Sequence, residues 1–392
     1  MSQQLISRSP DLKRLRDEGY EIEVRAGHLL VHSIPYVNSR RCVARGTLVS
    51  TLTLAGDVTC TPGTHLAYFI GEHPCNTDGS EIAQIKHGTR AQTLGENLVI
   101  QHSFSSKPVS GAYSNYHQKM TTYAAILSSP AHVIDPTMTA KTFAPIAADE
   151  ADSVFVYLDT ASSRAGIGAL SARFAGERVA FIGVGGTGAY ALDLVAKTPV
   201  KEIHLFDGDR FLQHNAFRAP GAAPIERLRQ LPYKVDYFRD LYAAIHRGII
   251  AHPYDITEEN AGELAGISFA FLCIDGGSRK KAIVARLEAL GISFVDTGVG
   301  VEAGDDGLLG LIRVTTSTPE KRDHVRTRVS FADAGGDDLY RNNIQIADLN
   351  ALNAALAVIK WKKLRGFYLD LDREHHAIYT LSGNVLINDD KS

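Results

Sequence analysis

Short apolar runs and helical stripes alternate along the second half of the chain. Val179-Ala180-Phe181-Ile182 has the length and character of a buried parallel strand. Gly183, Gly185, Gly186 and Gly188 come immediately after it. Apolar residues then recur at helical spacing over residues 189–196, and Thr198-Pro199 stops the pattern. Residues 201–206 predict a second strand with Asp207 at its carboxyl end, and residues 269–274 a third that contains Cys273 and ends in Asp275. Residues 344–364 carry apolar positions at helical spacing, with Lys360, Lys362 and Lys363 near the end, where they suit the helix dipole. Residues 379–387 predict a late strand pair turning at Ser382-Gly383-Asn384.

The first part of the chain has a different grain. Residues 8–21 are polar and helical in pattern, and residues 116–127 predict a helix. Residues 27–35, 46–54 and 64–70 predict strands. The resulting fold class is α/β: a Rossmann-like, mostly parallel sheet over residues 160–392, preceded by a smaller β-rich or α+β domain over residues 1–150. The boundary is expected within residues 145–163. No repeat or low-complexity tract is present.

The glycines after the first strand have a physical reason. A phosphate approaches a helix N-terminus closely only where no side chain intervenes, and the N–H groups and dipole there supply partial positive charge. Asp207 stands where a carboxylate can hydrogen-bond a ribose hydroxyl. These residues alone fit a dinucleotide enzyme equally well, or a tight glycine turn with no ligand. The next loop changes the picture. Asp207 and Asp209 are succeeded by Asn215, Arg218 and Lys234. Arg and Lys neutralise charge on phosphoryl oxygens during displacement, and a carboxylate can hold Mg²⁺ among phosphates. An NAD-dependent oxidoreductase, the alternative, has no role for Arg218 or Asp275.

This combination resembles the adenylation domain of ThiF/MoeB-type and ubiquitin-activating enzymes. Gly183-Val184-Gly185-Gly186-Thr187-Gly188 fits the family's glycine turn, Asp207 and Asp209 its acidic pair, Asn215 and Arg218 its Asn-x-x-Arg element. Lys234 fits the downstream lysine and Asp275 the metal-binding aspartate, although Gly276 replaces the Asn that often comes next. The resemblance covers residues 162–364. It implies ATP and Mg²⁺ as cofactors, and adenylation of the C-terminal glycine of a ubiquitin-like or sulfur-carrier β-grasp protein with release of pyrophosphate. Adenylation of a small peptide or metabolite carboxylate is the variant within the class. The resemblance also implies a homodimer, and an arginine reaching the partner protomer's site; Arg164 is the candidate, with Arg173 and Arg178 as alternatives.

The cysteines limit the steps after adenylation. Cys42, Cys60, Cys75 and Cys273 contain no Cys-x-x-Cys pair, so the zinc site of many such enzymes is not expected. No cysteine lies beyond Cys273, so a downstream thioester cannot form. Three routes remain: direct hand-over of the adenylate, an N-terminal-region cysteine, or a hydroxyl. Ser317, in the stretch Arg313-Val314-Thr315-Thr316-Ser317-Thr318-Pro319 that corresponds to the crossover loop, is the hydroxyl candidate, with His324 nearest in sequence as a base; a polar turn before Pro319 is the plain alternative. His73-Pro74-Cys75-Asn76 carries the most chemical-looking side chains of the first domain but is spaced as a turn, with a faint similarity to the His-Pro-Asn turn of ubiquitin-conjugating enzymes. A role for residues 1–150 in docking a partner, such as a conjugating enzyme, is the expectation.

Composition adds exclusions. Over 392 residues the net charge is −3, which gives no electrostatic case for nucleic acid or anionic membrane. No run reaches transmembrane length, the first twenty residues are polar, and the few cysteines lack framework spacing. A cytoplasmic enzyme is the expectation.

Overall fold

The computed structural model describes residues 2–95, 97–148, 153–275, 277–331 and 344–392. The chain forms two compact units, residues 1–147 and 148–392.

The first unit opens with two helices, α1 (Ser2–Arg8) and α2 (Pro10–Asp17). Eight strands come next: β1 (Ile22–Arg25), β2 (His28–Val37), β3 (Val43–Thr51), β4 (Leu54–Ala55), β5 (Val58–Thr59), β6 (Leu66–Ile70), β7 (Lys86–Gly95) and β8 (Leu98–Ser105). Six of them make one antiparallel sheet in the order β1-β2-β3-β6-β8-β7. Helix α3 (Tyr116–Ile134) runs about two turns beyond the expected end. Its start is set by Asn115, whose Oδ1 accepts the Gln118 N–H at 2.8 Å. Tyr116, Met120, Tyr123, Ala124, Leu127 and Ala131 fall on one face and are buried against the sheet with Leu29, Val31, Leu48 and Phe69.

One residue breaks that apolar face. Lys119 is 0% exposed, and its ammonium donates to Ser50 Oγ at 2.8 Å and to the Thr64 carbonyl at 2.9 Å. Burial lowers its pKa to about 8 from an ordinary 10.5. A buried amine of this kind binds fewer protons folded than unfolded between those two values, so stability rises with pH there. Between pH 8 and pH 10 the gain is expected to be about 2 kcal/mol. Denaturant unfolding of the first unit across that range checks it, with Lys119→Met as the control whose profile lacks the rise. Above pH 10 the buried Tyr113 and Tyr123, whose pKa values burial raises, reverse the trend.

The second unit begins with α4 (Thr160–Arg164) and α5 (Gly168–Ser171). A βα alternation succeeds them: β9 (Arg178–Ile182), α6 (Gly186–Val195), β10 (Glu202–Phe206), α7 (Gln213–Ala216), α8 (Ile225–Arg229), α9 (Lys234–Tyr242), β11 (Ile249–His252), β12 (Phe269–Leu272), α10 (Ser278–Ala289) and β13 (Ser293–Gly304). β14 (Gly307–Ser317), α11 (Val325–Arg328), α12 (Ala347–Leu364), β15 (His376–Thr380) and β16 (Val385–Asp389) complete it. The sheet order is β11-β10-β9-β12-β13-β14-β15-β16. The first five strands are parallel, and the last three add antiparallel. Both faces of the parallel part are covered, as continuous apolar strands require. Val179, Phe181, Leu205, Phe269 and Phe271 pack under α6, α9 and α12. Ala180, Ile182, Ala270, Leu272 and Phe294 pack under α10 and α11.

Two local expectations are corrected. Residues 313–317, expected in a loop, belong to β14, paired in register from Phe294↔Ser317 to Gly304↔Gly307. The consecutive β-branched residues Val314-Thr315-Thr316 fit a pleat better than a loop. Cys273, expected inside the third strand, lies just beyond it, because the chain turns there to meet the glycine loop.

Candidate functional site

The sheet order places the site before any side chain is considered. The chain leaves β9 for β10 on one side and returns to β12 on the other, so β9 and β12 flank the point where the strand order reverses. Open α/β sheets bind ligands in the crevice at the carboxyl ends of such strands. The glycine turn leaves β9, and the Asp275 loop leaves β12, into that crevice.

The turn is built of glycine for reasons of space. Gly183 has φ +89°, and a Cβ there would stand 2.6 Å from the Cys273 carbonyl oxygen. A Cβ at Gly188 would stand 2.1 Å from the Gly183 oxygen. At Gly186 it would meet the Asn350 carboxamide of α12 at 2.1 Å. Around Gly185 nothing lies within 4 Å. The open position faces the start of α6, where the first turn of N–H groups lacks intrahelical acceptors.

Asp207 is buried at the end of β10. Its Oδ2 accepts the Val184 N–H at 2.9 Å and its Oδ1 the Asp209 N–H at 2.9 Å. One carboxylate therefore pins the glycine turn to the next loop, and keeps acceptor capacity for a ligand hydroxyl. Burial raises its pKa, opposed by the Lys234 charge and by the two backbone N–H groups. Lys234 opens α9 and is itself buried; its Nζ lies 3.4 Å from Asp207 Oδ1 and 2.6 Å from Asp209 Oδ2. Asp209 is otherwise exposed.

Asn215 lies on α7 and Arg218 just after it. Asn215 is buried, and its Oδ1 accepts the Leu212 N–H at 2.8 Å, which leaves its amide nitrogen as the donor. The Arg218 Nε is buried without a hydrogen-bond partner. Burial first, then the charges of Arg218 and Lys234, push the His214 pKa below its ordinary value. Lys234 thus stands beside Asp207, and Arg218 follows α7 on the stretch that leaves the same strand, two cations suited to an anion.

Asp275 is exposed on the loop between β12 and α10. Gly276, its sequence neighbour, lies outside the described residues. Among the described residues no three His, Cys, Asp or Glu side chains converge as a metal site. Mg²⁺ bound among phosphates commonly takes only one or two protein carboxylates, so the donor set fits it. Arg164 is exposed at the end of α4; Arg173 reaches the Gly366 carbonyl, and Arg178 pairs with Glu202 at 3.1 Å.

The structure does not bring Ser317 into this group, since it pairs with Phe294 near the start of β13, at the end of the sheet away from the crevice. Ser317 is fully buried at the end of β14, its hydroxyl without a partner, and the His324 Nε2 faces the Thr316 carbonyl at 2.9 Å. Burial pushes the Cys273 thiol up to about 12. Burial, with Glu81, Asp78 and Glu72 nearby, raises the Cys75 thiol. Neither is a ready thiolate at neutral pH. Cys42 is exposed and Cys60 half-buried.

Sequence reasoning missed a set of buried charges at the same edge. Asp296 of β13 is ion-paired with Lys280 of α10, and its Oδ2 lies 2.7 Å from Arg313 of β14. Arg313 also donates to Thr315 Oγ1 at 2.7 Å, which meets His376 Nδ1 at 3.0 Å. A lone Asp directly after the apolar pair Phe294-Val295 was the available signal.

The family described as a domain of unknown function, DUF6791, matches residues 10–160. No curated protein matches the chain. Among solved structures it is similar to PaaA, at 17% identity over 57% of this chain and 76% of that one, with a TM-score of 0.41. It is also similar to E. coli MccB solved with ATP, at 12% identity over 59% and 70%, TM-score 0.42. With MccA the same protein gives 13% identity, the same coverage and a TM-score of 0.44. No helix among the described residues is long and apolar enough to cross a membrane. By its own sheet order, with a glycine turn after the central strand, the second unit is a Rossmann-like α/β domain preceded by a separate β-rich unit.

Proposed function

We propose that the second unit binds ATP·Mg²⁺ and adenylates a carboxylate, that of the C-terminal glycine of a ubiquitin-like or sulfur-carrier β-grasp protein. The observation that carries the reading is Lys234, buried and held 3.4 Å from Asp207 Oδ1 at the carboxyl end of β10, with Arg218 on the stretch between α7 and α8 that leaves the same strand. A nicotinamide site has no use for two cations there.

The residues divide the work. Gly185 and the start of α6 leave room and N–H groups for phosphate; Asp207 accepts from the ribose. A carboxylate oxygen attacks the α-phosphorus, the new C(O)–O–P bond forms, and the bond to pyrophosphate breaks. Arg218, Lys234 and the Asn215 amide would stabilise the negative charge that grows during that exchange. Lys234 already has Asp207 and Asp209 as counter-ions, so it is fixed in place before substrate arrives. Asp275 would hold Mg²⁺, which when bound supplies charge neutralisation on the phosphates. No general base is required, since the attacking carboxylate is anionic at neutral pH. Catalysis is alignment and electrostatics. Partner docking on residues 1–150, a homodimer and the role of Arg164 stay expectations.

Thermal unfolding with ATP·Mg²⁺ and with NAD tests the reading without knowledge of the carboxylate substrate. Ligand at a hundred times its dissociation constant adds about 2.7 kcal/mol. The expected result is a midpoint several degrees higher with ATP·Mg²⁺ and unchanged with NAD. In Asp275→Ala the Mg²⁺-dependent part of the shift should vanish while the unliganded midpoint stays put. A shift with NAD alone would transfer the chain to the oxidoreductases.

A further inference from the structure

The first turn of α10 is held from two sides by two carboxylates, one on β13 and one on the loop after β11. On the inner side Lys280 is ion-paired with Asp296, the two side chains 3% and 0% exposed. On the outer side Arg279 is ion-paired with Asp255, on the loop after β11, at 43% and 46% exposure. Asp255 has a second contact: its Oδ1 accepts the Gly208 N–H at 3.0 Å. Gly208 lies between Asp207 and Asp209. The loop that carries Asp255 is itself fixed, since Asn260 Nδ2 donates to the Asp255 carbonyl at 3.0 Å and Asn260 Oδ1 accepts the Thr257 N–H at 2.7 Å.

One carboxylate therefore touches two loops of the crevice. The Asp207–Asp209 loop leaves β10, and α10 begins three residues after Asp275 on the loop that leaves β12. β10 and β12 are not neighbours; β9 lies between them, so the loops are separated by about 10 Å of sheet. The ladders set Phe206 and Leu272 level, both opposite Ile182, but they end there, so the paired strands do not fix the loops beyond them. We propose that Asp255 is a positioning residue that holds the ribose-side loop and the start of α10 in one frame, registering the ribose end of a bound nucleotide with its Mg²⁺ end. The inference rests on the nucleotide reading of the proposed function. A misplacement of about 1 Å in such a site is enough to cost about a hundredfold in rate. The Arg279 pair is half exposed, a setting in which ion pairs add little to stability. Its removal therefore separates alignment from folding.

The test uses the full chain and two ligands, AMP without metal and ATP·Mg²⁺, titrated calorimetrically. Asp255→Asn keeps an acceptor for Gly208 but removes the charge facing Arg279. AMP affinity should stay within about twofold and ATP·Mg²⁺ affinity fall about tenfold, or 1.4 kcal/mol. Asp255→Ala removes both contacts, and both ligands should weaken. Equal ATP·Mg²⁺ affinity in Asp255→Asn and the parent overturns the inference. So does tighter binding in that variant, which would mean that Arg279, once released, grips phosphate directly. A fall in the unliganded midpoint matching the lost affinity assigns Asp255 to folding instead and also overturns it. If the parent chain binds neither ligand, the nucleotide reading itself fails, and this inference with it.

Discussion

Asp296→Ala is expected to destabilise the second unit by about 3–5 kcal/mol, the cost of leaving buried charge without its partner. Lys280, 3% exposed, would remain buried with its counter-ion gone, and Arg313 would keep only Thr315 Oγ1 as a side-chain acceptor. Trp361 makes the measurement direct. It is the single tryptophan, it is buried in the second unit, and its emission reports that unit alone during denaturant unfolding. The charge origin is checked by replacing the whole set, with Lys280→Met, Asp296→Leu and Arg313→Met together. Apolar groups of similar volume commonly restore what a broken ion pair loses. A triple variant as unstable as the single one would attribute the loss to shape rather than charge.

Two glycine substitutions three residues apart are expected to fail in different ways. Gly188→Ala places a methyl 2.1 Å from the Gly183 carbonyl and 3.1 Å from the Cys273 Cβ. Backbone cannot step aside as a side chain can, so α6 must lift from β9. The expected cost is about 1–3 kcal/mol in stability, typical of overpacking, together with nucleotide affinity. Gly185→Ala meets no atom within 4 Å. Its unliganded midpoint should match the parent, yet ATP·Mg²⁺ should no longer raise it, because the methyl occupies the approach of a phosphate to the α6 N-terminus. Thermal unfolding with and without nucleotide separates the two. An undiminished ATP·Mg²⁺ shift in Gly185→Ala would show that the open space at this turn is not the phosphate's.

The features legible in the sequence were the local ones. Val179–Ile182, the four glycines and Asp207 lie within one βαβ unit, where the 2- and 3.6-residue periods and a strand-end carboxylate are read directly. Asn215, Arg218 and Lys234 stand on the next loop and helices. The brace of Asp255, Gly208 and Arg279 was not legible, because its members come from two loops and a helix that only the sheet order brings together. The Asp296 set was hidden for the same reason: a β13 carboxylate meets α10 and β14 side chains seventeen or fewer residues away in sequence, with no motif to mark them. Residues 313–317 were misplaced because Thr and Ser in a row suggest a turn, while pairing with β13 and β15 on both sides makes them a central strand.

Asp207 carries a consequence for how this crevice could be altered. In a site where the strand-end acid touches only the ligand, exchanging that acid retunes ligand choice and leaves the scaffold alone. Here the same carboxylate accepts the Val184 and Asp209 N–H groups, so it is also the clasp that closes the turn. A neutral or larger replacement would open the clasp before it could recognise a new ligand. Redesign of nucleotide preference would therefore have to begin elsewhere, at the rim formed by Gly208 and Asp255, and leave position 207 untouched.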